Sequence, residues 1–112
     1  MFASTPAPPY YAVIFTNKHS TDTDGYGDAA DEMVRTAPTM PGYLGVESVR
    51  DASGAAITVC YWQDEESIAG WKANTLHLEA QRRGQEQWYE HYELRVAKVE
   101  RAYSGPEGRP AL

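Results

Sequence analysis

The chain has a single cysteine, Cys60. Without a second thiol there is no internal disulfide and no multi-cysteine metal centre. Because Cys60 sits inside an apolar run, it reads as a small buried residue rather than a nucleophile. Basic residues are also scarce: 10 Lys and Arg against 16 Asp and Glu give a net charge of −6 and a pI near 4.9. Binding a phosphate backbone needs a cationic surface, so a nucleic-acid partner is disfavoured. No stretch approaches the roughly 20 apolar residues of a membrane helix, and the first residues lack the basic start and apolar centre of a secretory signal. A cytoplasmic protein with no membrane partner is expected. The histidines stand apart from any second ligand at metal spacing, and Asp22, Asp24, Asp28, Asp31 and Glu32 lack the ordered pattern of a calcium loop. No metal site is expected from side chains alone.

What the chain has in excess is apolar strand surface. In Tyr10 to Thr16, one alternating set is Tyr11, Val13 and Phe15, and the other is Tyr10, Ala12, Ile14 and Thr16. In Ala55 to Trp62 the sets are Ile57, Val59 and Tyr61, then Ala56, Thr58, Cys60 and Trp62. Strand side chains alternate with a period of two, so a sheet wetted on one face shows polar residues at every second position. Neither run does. Helices are therefore expected on one face and a second copy of the chain on the other, with a ligand in the space between. A chain of 112 residues is one domain, small enough for a second buried face to add appreciably to stability.

Residues 1–9 and 104–112 are rich in Pro, Gly and small residues and read as mobile tails around a folded unit over residues 10–103. After the first strand, a polar loop over residues 17–25 leads to a helix carrying Tyr26, Ala30, Met33, Val34 and Ala37 on one side, stopped by Pro38 and Pro41-Gly42. Strands over Tyr43 to Arg50 and Ala55 to Trp62 flank Asp51-Ala52-Ser53-Gly54, a hairpin turn. Asp64 opens a second helical region reaching about Tyr89, with Ile68, Trp71, Thr75 and Leu78 as its buried stripe and Asn74-Thr75 and Gly84 as weak points. A last strand runs from about Tyr89 to Tyr103, with a phase change that suggests a bend near Ala97-Lys98. The order is βαββαβ: an α+β, ferredoxin-like antiparallel sheet with two helices on one face.

The stretch from Trp71 to Gly84, followed by Trp88-Tyr89 and by Arg95 to Tyr103, resembles the antibiotic biosynthesis monooxygenase family. The runs Tyr11 to Thr16, Pro41 to Ser48 and Ile57 to Trp62 are similar to it as well, so the resemblance covers nearly all of residues 10–103. It implies a homodimeric α/β barrel and a monooxygenase acting on a flat aromatic small molecule. Its haem-degrading branch carries an Asn on the first strand, a Trp on the second helix and an iron-binding His ten residues later. Asn17 and Trp71 match the first two, while the third position holds Gln81. An amide is a poor ligand for haem iron, and His77, six residues after Trp71, is the nearest replacement. On an unbroken helix Trp71 and His77 stand about 120° apart, so sharing a pocket needs a break near Asn74-Thr75.

The expected site therefore comprises Asn17, Trp71 and His77 as catalytic residues, His77 and Gln81 as the positions facing any haem, and Phe15 and Tyr61 lining a substrate cavity. Oxidising a phenol needs a dry cavity and partners for the phenolic proton, which these side chains supply. Two other readings share the fold: a barrel that binds a small molecule without turnover, and a non-oxidative isomerase or decarboxylase with His77 as base. Trp71 at a core position of an amphipathic helix also packs, as Trp62 and Trp88 do.

Overall fold

The first strand continues three residues past Thr16. In the computed structural model, which describes residues 1–108 apart from the side chains of residues 75 and 76, β1 spans Tyr10–His19. There follow α1 (Tyr26–Thr36) with a 3-10 turn (Ala37–Thr39), β2 (Tyr43–Arg50) and β3 (Ala55–Trp62). Then come α2 (Glu65–Lys72), α3 (Thr75–Arg83), a π-helical turn (Gly84–Trp88) and β4 (Tyr89–Val99). The strands form one antiparallel sheet in the order β2-β3-β1-β4, the ferredoxin-like topology that the element order implies. Residues 109–112 of the expected C-terminal tail lie outside the described residues.

Local chemistry sets the joints. Asp51 Oδ1 accepts from the Ser53 and Ala55 amides at 2.9 and 3.1 Å, which closes the β2–β3 hairpin. Asp64 caps α2: its Oδ1 accepts from the Ser67 amide at 2.7 Å, a contact generally worth about 1 kcal/mol. Gly42 sits at φ +82°, and a β-carbon there would lie 1.8 Å from Ser67 Oγ. Only glycine lets the start of β2 approach the first turn of α2 so closely.

The second helical region is broken rather than continuous. The Asn74 amide donates to the Trp71 carbonyl at 3.1 Å, closing α2, and Asn74 Oδ1 accepts from the His77 amide at 3.3 Å, capping α3. Leu78, expected in the buried stripe, is 51% exposed because α3 starts on a new phase; the Thr75 side chain lies outside those described. Val34 on α1 is likewise exposed. The bend expected near Ala97-Lys98 is absent, since Ala97 and Lys98 pair regularly with Ala12 and Tyr11. The register shift lies at Lys18/His19, opposite the start of β4, where the chain leaves the π turn.

Trp62, Ile68 and Trp71 form the core between sheet and helices, with Tyr11, Val13, Met33, Met40, Tyr43 and Cys60 packed around them. The opposite face carries Ile14, Val49, Ile57, Val59 and Tyr61. Part of it meets the N-terminal segment: the Ala3 amide donates to Glu47 Oε2 at 2.9 Å and Thr5 Oγ1 to the Tyr10 hydroxyl at 3.0 Å. The rest is open, with Val49 57% and Ile57 53% exposed.

Candidate functional site

Register arranges the helix-covered face in rows. Tyr11 is level with Trp62, Val13 with Cys60 and Val96, and Phe15 with Thr58 and Leu94. Asn17 is level with Ala56 and Tyr92, and Arg50 on β2 extends that row beyond Ala56. At a rise of about 3.3 Å per residue, the Tyr11 and Asn17 rows are roughly 20 Å apart. The interior thus has two ends.

At one end Trp71 stacks at a tilt on Trp62, with centroids 6.0 Å apart, and the His77 ring meets Trp71 edge-on at 4.8 Å. The break at Ala73-Asn74 turns the His77 side chain toward Trp71. His77 Nδ1 is buried without a hydrogen-bond partner, and burial with the Lys72 charge lowers the imidazole pKa. The ring is therefore neutral near pH 7 and able to accept a proton. Burial pushes the nearby Cys60 thiol up to about 11, partly offset by the Trp62 indole, although no hydrogen bond of ordinary geometry joins the two. That thiol is not a nucleophile at neutral pH.

At the other end Asn17 is 4% exposed, and neither its Oδ1 nor its Nδ2 makes a hydrogen bond among the described residues. Aromatic residues flank it on the same face. Phe15 meets Tyr89 at 5.2 Å and Tyr92 at 5.7 Å, while His19 meets Tyr26 at 4.4 Å and Tyr89 at 5.8 Å. His19 Nε2 is also buried and unpartnered, and burial and the Arg50 charge lower its pKa. Burial raises the Tyr89 phenol, and neighbouring Tyr26 raises it further. The π turn makes this wall: a β-carbon on Gly84 would lie 2.7 Å from Tyr89 Cε2, and Trp88 Nε1 donates to the Asp24 carbonyl at 2.8 Å. A concavity of about 390 Å³, lined by Gln85, Tyr89, Glu90, His91 and Tyr92, brings solvent to the outer side of these rings.

The structure thus brings Trp71 and His77 together, and Phe15 and Asn17 together, on one face. It does not bring Tyr61 to them. Tyr61 lies on the opposite face, where it donates to Glu47 Oε1 at 2.7 Å and packs edge-on against Tyr10 at 5.7 Å. Burial first, then Glu47, raises its phenol to about 12. His19, Tyr26, Arg50 and Tyr89 were not among the expected site residues. His19 shares the odd-numbered phase of Phe15 and Asn17, a signal that becomes readable once the strand is taken to residue 19. Gln81 offers an amide where a haem ligand belongs, and the His77 ring is packed against Trp71. The residues present do not fit haem ligated as in the haem-degrading branch. Among the described residues no group of His, Cys, Asp and Glu is placed to hold a metal ion, and no helix is long and apolar enough to cross a membrane.

The family model for antibiotic biosynthesis monooxygenases matches residues 9–83, and the chain belongs to that family. It is 50% identical over 99 residues to YqjZ of Bacillus subtilis, an uncharacterised protein, covering 88% of this chain and 87% of YqjZ. It is 30% identical over 94 residues to the jasmonate monooxygenase ABM of Pyricularia oryzae, covering 80% of this chain but 43% of that longer protein. Its fold matches SnoaB, a cofactor-independent oxygenase from Streptomyces nogalater, with a TM-score of 0.70 at 8% identity, over 85% of this chain and 97% of SnoaB.

Proposed function

We propose that the chain is a monooxygenase that oxidises a small, flat aromatic molecule in the layer between sheet and helices, without haem. The observation that carries this is the Asn17 amide, buried with both polar atoms unanswered by the protein. Such groups are costly to the folded state and persist in native proteins where they serve something else. The unpartnered His77 and His19 nitrogens and the surrounding rings suit a planar substrate with a polar edge. The jasmonate monooxygenase of Pyricularia oryzae and family membership support the oxygenase class.

In this reading Asn17 Nδ2 donates to an oxygen of the bound molecule and neutral His19 at the same end takes its proton, while His77 lines the other end of the interior, too far along the face to serve the same small molecule. Oxidation of a phenol to a quinone by dioxygen balances without a further reductant: the ring gains one oxygen atom and loses two hydrogens, and the second oxygen leaves as water. Aromatic walls exclude bulk water from the intermediate. A reducing cytoplasm, in which the lone Cys60 stays a thiol, suits this reading.

The exposed Val49 and Ile57 support a homodimer in which a second copy covers the open face. Gln81 supports a second reading, a barrel that binds an aromatic ligand without turning it over.

Oxygen-electrode assays with a panel of naphthols and anthrols test the first reading, with haemin titration alongside. Oxygen uptake that is lost in Asn17→Leu and His19→Gln is expected, with no Soret shift from haemin. Ligand-raised melting temperature without any uptake across the panel would leave the binding reading. Wild-type turnover that persists under argon and is lost in His77→Ala would point to the isomerase or decarboxylase class instead.

A further inference from the structure

We infer that the Asn17 end of the interior receives a carboxylate, so that the ligand is an aromatic or alicyclic acid lying with its anionic head toward Arg50 and Asn17 and its apolar body along Phe15. This rests on the reading of the interior as the ligand site and adds the chemical class of what enters it.

Arg50 is the first reason. Its guanidinium is partly buried; Nη1 donates to the Gly54 carbonyl at 2.6 Å, Nη2 donates to the Tyr26 hydroxyl at 3.2 Å, and Cζ lies 5.5 Å from the Tyr26 ring centroid. Every one of these partners is neutral. In a chain with 16 acidic residues, no carboxylate among those described lies within ion-pair distance of it, whereas Arg82 is paired with both Glu79 and Glu86. A cation held away from bulk water with no countercharge attracts an anion far more strongly than one on the surface.

The second reason is what shares its row. Arg50, Ala56 and Asn17 stand side by side on the helix-covered face, so about 10 Å of backbone separates the guanidinium-bearing strand from the amide-bearing one. Ala56 lies between the two strands, and the Tyr26 ring, which Arg50 bonds, packs on His19 at the same end. The Asn17 amide is nine-tenths buried and offers N–H donors that the protein leaves unused, and the Nε2 of His19 at the same end is also unpartnered. One cation and one amide donor on the same row of one face is carboxylate chemistry, whereas a phosphate dianion would find only one countercharge.

The test is calorimetric titration of the full-length protein under argon, so that turnover does not enter, with 2-naphthoate and its neutral counterpart 2-naphthamide. The acid should bind about tenfold or more tightly, the worth of one charge-assisted hydrogen bond, and its advantage should shrink with added salt. Arg50→Gln should abolish the preference, Arg50→Lys should retain part of it, and Arg35→Gln, on the exposed side of α1, should leave it unchanged. If Arg50→Gln does not fold, the wild-type comparison of acid with amide and its salt dependence decide the matter alone. No binding of the acid, equal binding of both probes, or a preference that survives Arg50→Gln overturns the inference. Acid preference without oxygen uptake on any substrate would sink the oxygenase reading while leaving the carboxylate end intact. Uptake on phenols with no acid preference would do the reverse.

Discussion

Replacing Asn17 by leucine should make the ligand-free protein more stable while removing its function. The side chain is 4% exposed, and both of its polar atoms lack protein partners. A buried polar group in that condition generally costs about 1 to 3 kcal/mol, and an apolar residue of similar length removes the cost. Leucine branches differently from asparagine, and imperfect fit among Phe15, Tyr89 and Tyr92 offsets part of the gain, leaving about 1 to 2 kcal/mol. For a domain of this size that corresponds to a rise in melting temperature of roughly 4 to 8 °C. Differential scanning calorimetry of the wild type and Asn17→Leu in the absence of ligand measures it directly, and the oxygen-uptake assay reads function in the same preparations. A melting temperature that falls would show that the amide has a structural partner, and the reasoning that makes it a ligand-binding group would fail.

Further outcomes follow from other parts of the structure. Burial with Lys72 lowers the His77 pKa, and burial with Arg50 lowers that of His19, both from 6.5. The unfolded chain therefore binds protons that the folded protein refuses as pH drops below about 6.5, so this part of the stability is full above that pH and declines beneath it. Thermal melts at pH 5.5 and 7.5 should differ in the wild type and less so in His77→Gln; a wild-type melting temperature equal at both would contradict the assignment. Gly42→Ala should destabilise by about 2 kcal/mol or more, because the residue is at positive φ and its β-carbon would collide with Ser67; urea denaturation within 0.5 kcal/mol of the wild type would refute the clasp. Ile57→Lys on the open face should convert a dimer to a monomer in sedimentation velocity, and an unchanged sedimentation coefficient would remove that face as the interface.

Much of the fold was legible because its causes are local. Alternation in Tyr10 to Thr16 and Ala55 to Trp62, the Asp51-to-Gly54 turn and the Asp64 cap each act within a few residues, so element order could be read along the chain. The helix break was legible as well, since Asn74 favours a cap over a helix interior. The boundaries were less so: β1 gains Asn17, Lys18 and His19 by pairing with β3 and β4, which their polarity does not announce. The π turn owes its form to the Tyr89 ring lying against Gly84, a contact invisible to periodicity.

By itself, then, the sequence determined the number and order of strands and helices, the apolar character of both sheet faces and the family. Tertiary structure decided which alternating set faces the helices. Period-two alternation sorts side chains into two groups but does not say which group lies under a helix, and it says nothing about residues brought level by antiparallel register. That is why Tyr61 and Phe15 separate onto opposite faces, and why Arg50, Ala56 and Asn17, from three different strands, come to stand in one row.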